Sequence, residues 1–83
     1  MIFNVLNVDH HIKGDQEWKN VLLEIRGNQY TVTCFPNFVD YHKLEKGKEV
    51  DGYIRRKGNY ETLVDYGKFQ RSWKDGESFL EFD

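Results

Sequence analysis

The chain lacks most of the residues that mark the common chemistries of small domains. Cys34 is the only cysteine among 83 residues, which rules out an internal disulfide and sets the expectation of a reducing compartment. Proline occurs once, at Pro36, and no proline- or serine-rich linker interrupts the chain, so one domain is expected. No apolar run approaches the ~18 residues of a membrane span. The N-terminus enters an apolar, β-rich run directly, without the basic segment that opens a secretory signal, and a cytoplasmic protein is the expectation. No glycine-rich phosphate loop is present, since Gly47 and Gly58 stand in isolated turn contexts. His10, His11 and His42 with Cys34 lack CxxC or HxxxH spacing, so neither a metal nor another cofactor is expected. Nothing pairs Cys34 with His42 as nucleophile and base, and the carboxylate pairs Asp9 with Asp15 and Glu45 with Glu49 read as surface charge. No enzyme is expected.

Charge is also scarce in net terms. The formal balance of −2 argues against a general duplex binder, which carries a strongly basic face. The average hides an asymmetry. Between Gly52 and Lys74 stand Arg55, Arg56, Lys57, Lys68, Arg71 and Lys74 against only Glu61 and Asp65; Asp75 to Asp83 then carries four acids and no base. Aromatic residues, by contrast, are abundant: two Trp, five Tyr and six Phe make 16% of the chain. That is more than so small a core needs, so some rings should face water or a partner.

The apolar pattern is that of strands. Ile2 to Val8 is rich in β-branched and aromatic residues and reads as a first strand, followed by a polar loop from Asp9 to Glu17. From Trp18, the residues Val21, Leu23 and Ile25 alternate with Leu22, Glu24 and Arg26, the pattern of a half-buried second strand. Gly27-Asn28 is a tight-turn signal. Gln29 to Phe35 follows, with Tyr30, Val32 and Cys34 on one face, and Pro36 ends it by removing a ladder donor. Asn37 is the expected N-cap of a short helix through Lys46, with Phe38, Tyr41 and Leu44 on one side and Gly47 closing it. Glu49 to Lys57, bent at Gly52, and Tyr60 to Tyr66 flank the second turn signal, Gly58-Asn59. Gly67 to Asp83 is either an added hairpin around Asp75-Gly76 or a tail.

The run Gly14 to Phe35, then Lys43-Leu44-Glu45-Lys46-Gly47-Lys48-Glu49-Val50, then Arg56-Lys57-Gly58-Asn59-Tyr60-Glu61-Thr62-Leu63-Val64-Asp65, resembles small OB-fold domains. These include single-stranded nucleic-acid-binding proteins, some encoded by phages. The resemblance spans roughly Phe3 to Tyr66 and is one of spacing, with no catalytic signature. It implies a mainly β domain: a five-stranded barrel over 1–67 with a short helix between strands three and four, and a C-terminal extension over 68–83. An SH3-like small barrel is the alternative, and the position of the helix separates the two.

Barrels of the OB type hold ligands across strands two and three, between the loop joining strands one and two and the loop joining four and five. On that mapping Lys13, Lys19, Arg55, Arg56 and Lys57 would meet phosphates, and Trp18, Tyr53 and Tyr60 would stack on bases, with Phe35 as a further ring. His10 and His11 belong to the first of these loops. The implied function is non-catalytic, low-specificity binding of single-stranded DNA or RNA. The competing reading leaves Trp18 and Tyr60 as caps on the barrel ends, Arg55 to Lys57 as a solvated turn, and the barrel as a protein-interaction module. The segment Glu77 to Asp83 has the acidic, aromatic character of the tails with which single-strand-binding proteins recruit partners. It is short, however, and it alternates like a strand, which favours Phe79, Leu80 and Phe82 packed on the barrel.

Overall fold

The structure, a computed structural model, describes residues 1–65 and the backbone of 77–79. The described residues form seven strands: β1 (Ile2–Lys13), β2 (Gln16–Ile25), β3 (Asn28–Cys34), β4 (Glu49–Asp51), β5 (Tyr53–Lys57), β6 (Tyr60–Val64) and β7 (Glu77–Phe79). They form one sheet in the order β4-β1-β2-β3-β6-β5-β7. Neighbours pair antiparallel except β3 and β6, which meet in parallel at Thr33 and Thr62. Because β4 and β5 are separated only by Gly52, the two sides of the sheet are joined covalently and it curls into a small barrel-like shape. Among the described residues no helix is long and apolar enough to cross a membrane.

The expected fourth strand, Glu49 to Lys57, is two strands hinged at Gly52. An added Cβ there would lie 3.0 Å from Leu63 Cδ1 and 3.1 Å from the Val64 carbonyl oxygen, so the backbone bends where only glycine leaves room. The Gly52 amide donates to the Met1 carbonyl at 2.9 Å and ties the hinge to the start of β1. The inward faces supply the core: Phe3 and Val5 from β1, Val21 and Leu23 from β2, Val32 and Cys34 from β3, Ile54 and Leu63 from the β5–β6 hairpin. Each such side chain contributes about 1.5–3 kcal/mol on burial. Beyond Val8 the β1–β2 ribbon has no residue of that core, so its order rests on cross-strand pairs of about 0.2–1 kcal/mol each.

Four expectations need correction. The loop assigned to Asp9–Glu17 is instead the end of the β1–β2 hairpin, turning only at Gly14-Asp15 with Gly14 at φ +60°. A polar ribbon with both faces wet gives no burial signal, and the paired His11 and Trp18 hold it instead. The next turn falls one residue earlier than expected: Arg26 (φ 52°) and Gly27 (φ 82°) form it, and Asn28 belongs to β3.

The short helix over 37–46 is reduced to a single 3-10 turn, Tyr41–Lys43, preceded by Asp40 rather than capped by Asn37. Phe38, Tyr41 and Leu44 are nevertheless all buried. Their spacing of three residues matches the period of successive three-residue turns, and the backbone bonds Phe38→Phe35, Tyr41→Phe38 and Leu44→Tyr41 are of that kind. Gly47 therefore closes no helix; it turns at φ 90° and its amide donates to the Val5 carbonyl at 2.8 Å. In the C-terminal extension, the backbone of β7 pairs with Arg55–Lys57. The expected strand Tyr60 to Tyr66 is seen as β6, ending at Val64, and Tyr66 lies outside the described residues, as do the packing of Phe79, Leu80 and Phe82 and the rest of 68–83.

Candidate nucleic-acid interface

Alternation along β2 sorts its side chains between two faces. Val21 and Leu23 point into the core, and Glu17 and Lys19 continue that inward row towards the open end of the barrel. Trp18, Asn20 and Leu22 take the outer face. Register places His11 of β1 directly across from Trp18, and the two rings stack with centroids 5.4 Å apart and planes 14° from parallel. The Asn20 amide nitrogen lies 3.2 Å from His11 Nε2 and orients that ring.

The outer face of β2 leads into a cleft of about 820 Å³ lined by Trp18, Thr33, Phe35, Pro36 and Tyr60, with Asp15, Gln16 and Glu17 at its hairpin end. Three rings from three different elements meet there. Trp18 comes from β2, Phe35 follows β3, and Tyr60 opens β6, brought alongside by the parallel β3–β6 contact. Phe35 is 37% exposed and Tyr60 50% exposed, so neither ring is used up by the core. Pro36 explains the position of Phe35: with no amide to donate, the strand stops and leaves the preceding ring at the cleft wall.

The eight expected site residues divide. Trp18 and Tyr60 line the cleft. Lys57 lies directly across from Tyr60 in the β5–β6 ladder and Lys13 directly across from Gln16 in the first hairpin; both are exposed, and neither lines the cleft itself. Arg55 is half-buried and borders a small cavity of about 20 Å³ shared with Phe35 and Thr62, on the flank of the cleft. Arg56 is turned to its cross-strand neighbour, donating from Nε at 3.2 Å and Nη2 at 2.8 Å to Glu61 Oε2. Tyr53 is half-buried across from Val64, at the far end of β5 from Lys57 and outside the cleft lining.

Lys19 is also outside. Its ammonium donates to the Tyr41 carbonyl at 2.7 Å and sits 4.3 Å from the Tyr41 ring centroid. One position separates it from Trp18, and in a strand one position is a change of face.

The inward row explains how the hairpin is anchored. Glu17 Oε2 accepts a hydrogen bond from the Tyr41 hydroxyl at 2.9 Å and lies 2.9 Å from His10 Nε2. The Tyr41 bond first, and the His10 bond second, hold the Glu17 carboxyl below its ordinary range. Burial, reinforced by the same bond, pushes the Tyr41 hydroxyl up to about 12. Burial likewise pushes the Cys34 thiol up to about 12, which makes it an inert core residue. Among the described residues no group of three metal-ligating side chains converges.

His11, Asn20 and Thr33 were not expected on the candidate face as an ordered set. One signal would have found His11: centring the first hairpin on Gly14-Asp15 puts residue 11 opposite residue 18. The cleft's chemistry is therefore aromatic walls, Thr33 and Gln16 for polar contacts, and two acids, Asp15 and Glu17, at the hairpin end, with the exposed bases Lys13 and Lys57 paired across from the lining residues Gln16 and Tyr60. Comparison with family models, with curated proteins and with solved structures finds no match to this chain.

Proposed function

We propose that this chain is an OB-type barrel that binds single-stranded nucleic acid without catalysis, using the cleft between its first and last hairpins. The carrying observation is that Trp18, Phe35 and Tyr60, contributed by separate elements, line one cleft. Base faces stack on such rings at about 1–3 kcal/mol per base and with little regard to sequence. Lys13 and Lys57 pair across from the lining residues Gln16 and Tyr60, Arg55 borders Phe35, and these bases suit a phosphate backbone passing across the rings. The cleft lies on the β2–β3 side between the first and last hairpins, which is where barrels of this type receive oligonucleotides. A free cysteine with no disulfide suits a cytoplasmic site of action.

The second reading, a protein-interaction module, is favoured by the net charge of −2. Salt dependence separates the two, because phosphate contacts weaken steeply with salt and an apolar protein interface does not. The test is anisotropy of labelled oligo-dT and oligo-U at low and physiological salt, with the wild type and a Lys13→Ala/Arg55→Ala/Lys57→Ala variant. The expected result is salt-sensitive binding whose slope flattens in the variant. Wild-type binding that is absent even at low salt would overturn the reading.

A further inference from the structure

Among the described residues, the edge of β1 facing away from β2 is satisfied only at its start. Ile2 to Asn4 pair with β4, and Val5 exchanges backbone bonds with Lys48 and Gly47, at 2.8 Å each. From Leu6 to Lys13 no described residue pairs with that edge. Asp9 to Lys13 are all exposed, including Ile12 at 69%. Sheets commonly protect such edges with charge, and Asp9 and Lys13 could serve that purpose here. Their placement is more specific. They stand two residues on either side of His11, on the same face, and neither makes an ion pair among the described residues.

We infer that this edge pairs with the same edge of a second copy of the chain, antiparallel and centred on His11. A two-fold axis through that point sets each copy's Asp9 across from Lys13 of the other, twice, and each Ile12 across from His10. Charges that repel a random strand become complementary in this one register. A shift by one residue would turn each copy's outer face to the other's inner face and remove both pairs. The joined sheet runs β2-β1-β1-β2, so both His11–Trp18 stacks lie on one side of it. Their two β2 strands are three strand spacings apart, roughly 14 Å. The inference does not depend on what the cleft binds.

Sedimentation equilibrium of the full chain tests it. The wild type should approach twice the 10.0 kDa chain mass with rising concentration. Asp9→Lys alone and Lys13→Asp alone should each remain monomeric, since each places like charges across the axis. Mixed in equal amounts, they should form a heterodimer, and the Asp9→Lys/Lys13→Asp chain should dimerise by itself. A wild type that stays monomeric throughout, single variants that dimerise as well as the wild type, or a mixture that stays monomeric would each overturn the inference.

Discussion

Glu17 and Gly52 show how single positions hold this barrel in shape. The Glu17 carboxyl is held below its usual range by the Tyr41 hydroxyl and then by His10, so the folded chain favours the ionised form. An unfolded glutamate titrates near 4.3. The stabilisation is therefore fully present above about pH 4.3 and is lost as pH falls through the lower native value. Urea midpoints of the wild type and Glu17→Gln should differ at pH 7 and converge as pH falls below the lowered native value of Glu17. An undiminished gap would show that the bond to Tyr41 does not depend on charge. At Gly52 the obstruction includes backbone, the Val64 carbonyl oxygen at 3.1 Å, which cannot rotate aside. Gly52→Ala should cost about 1–3 kcal/mol in a urea melt. A midpoint equal to the wild type's would mean the hinge tolerates a side chain.

At the scale of elements, the molecule has two unequal parts. Strands β2, β3, β5 and β6 interlock through buried aliphatic residues, whereas the β1–β2 ribbon beyond Val8 relies on the His11–Trp18 stack and the Glu17–Tyr41 and Lys19–Tyr41 bonds. In the monomeric Asp9→Lys chain, amide hydrogen exchange should therefore be fastest, among paired strands, over the 9–17 ribbon and slowest over Val21–Leu23. Tyr41→Phe should accelerate exchange in the ribbon while leaving the core strands nearly unchanged. Equal acceleration everywhere would mean Tyr41 supports the whole barrel and not the ribbon alone.

These two parts also explain what could be read from the sequence. Strands with one buried face were legible, because Val21, Leu23 and Ile25 or Tyr30, Val32 and Cys34 alternate at period two. The ribbon was not, because Asp9 to Lys13 carries no burial pattern at all. The turn at Arg26-Gly27 was displaced because Asn28 tolerates positive φ better than Arg26, yet the ladder pairing Ile25 with Asn28 puts Arg26 there. The 3-10 turn was mistaken for a helix because anchors at 38, 41 and 44 suit either period.

For the whole molecule, the central claim is that curling one sheet brings Trp18, Phe35 and Tyr60 from distant positions to one cleft. Trp18 was legible as a candidate from its place at the exit of the expected first loop, and Tyr60 from its place after the Gly58-Asn59 turn. Their convergence with Phe35 was not, because it depends on the parallel β3–β6 contact, a pairing that leaves no local pattern. Lys19 shows the opposite failure: one residue from Trp18 in sequence, it faces the other way and is bound to Tyr41.

The most direct measurement is the fluorescence of Trp18 during titration with oligo-dT and oligo-U, in a Trp73→Phe chain where it is the sole tryptophan. The account predicts saturable, salt-sensitive quenching and a loss of more than ~1 kcal/mol of affinity in Tyr60→Ala. Binding that leaves Trp18 emission unchanged, or no binding at low salt, would contradict it.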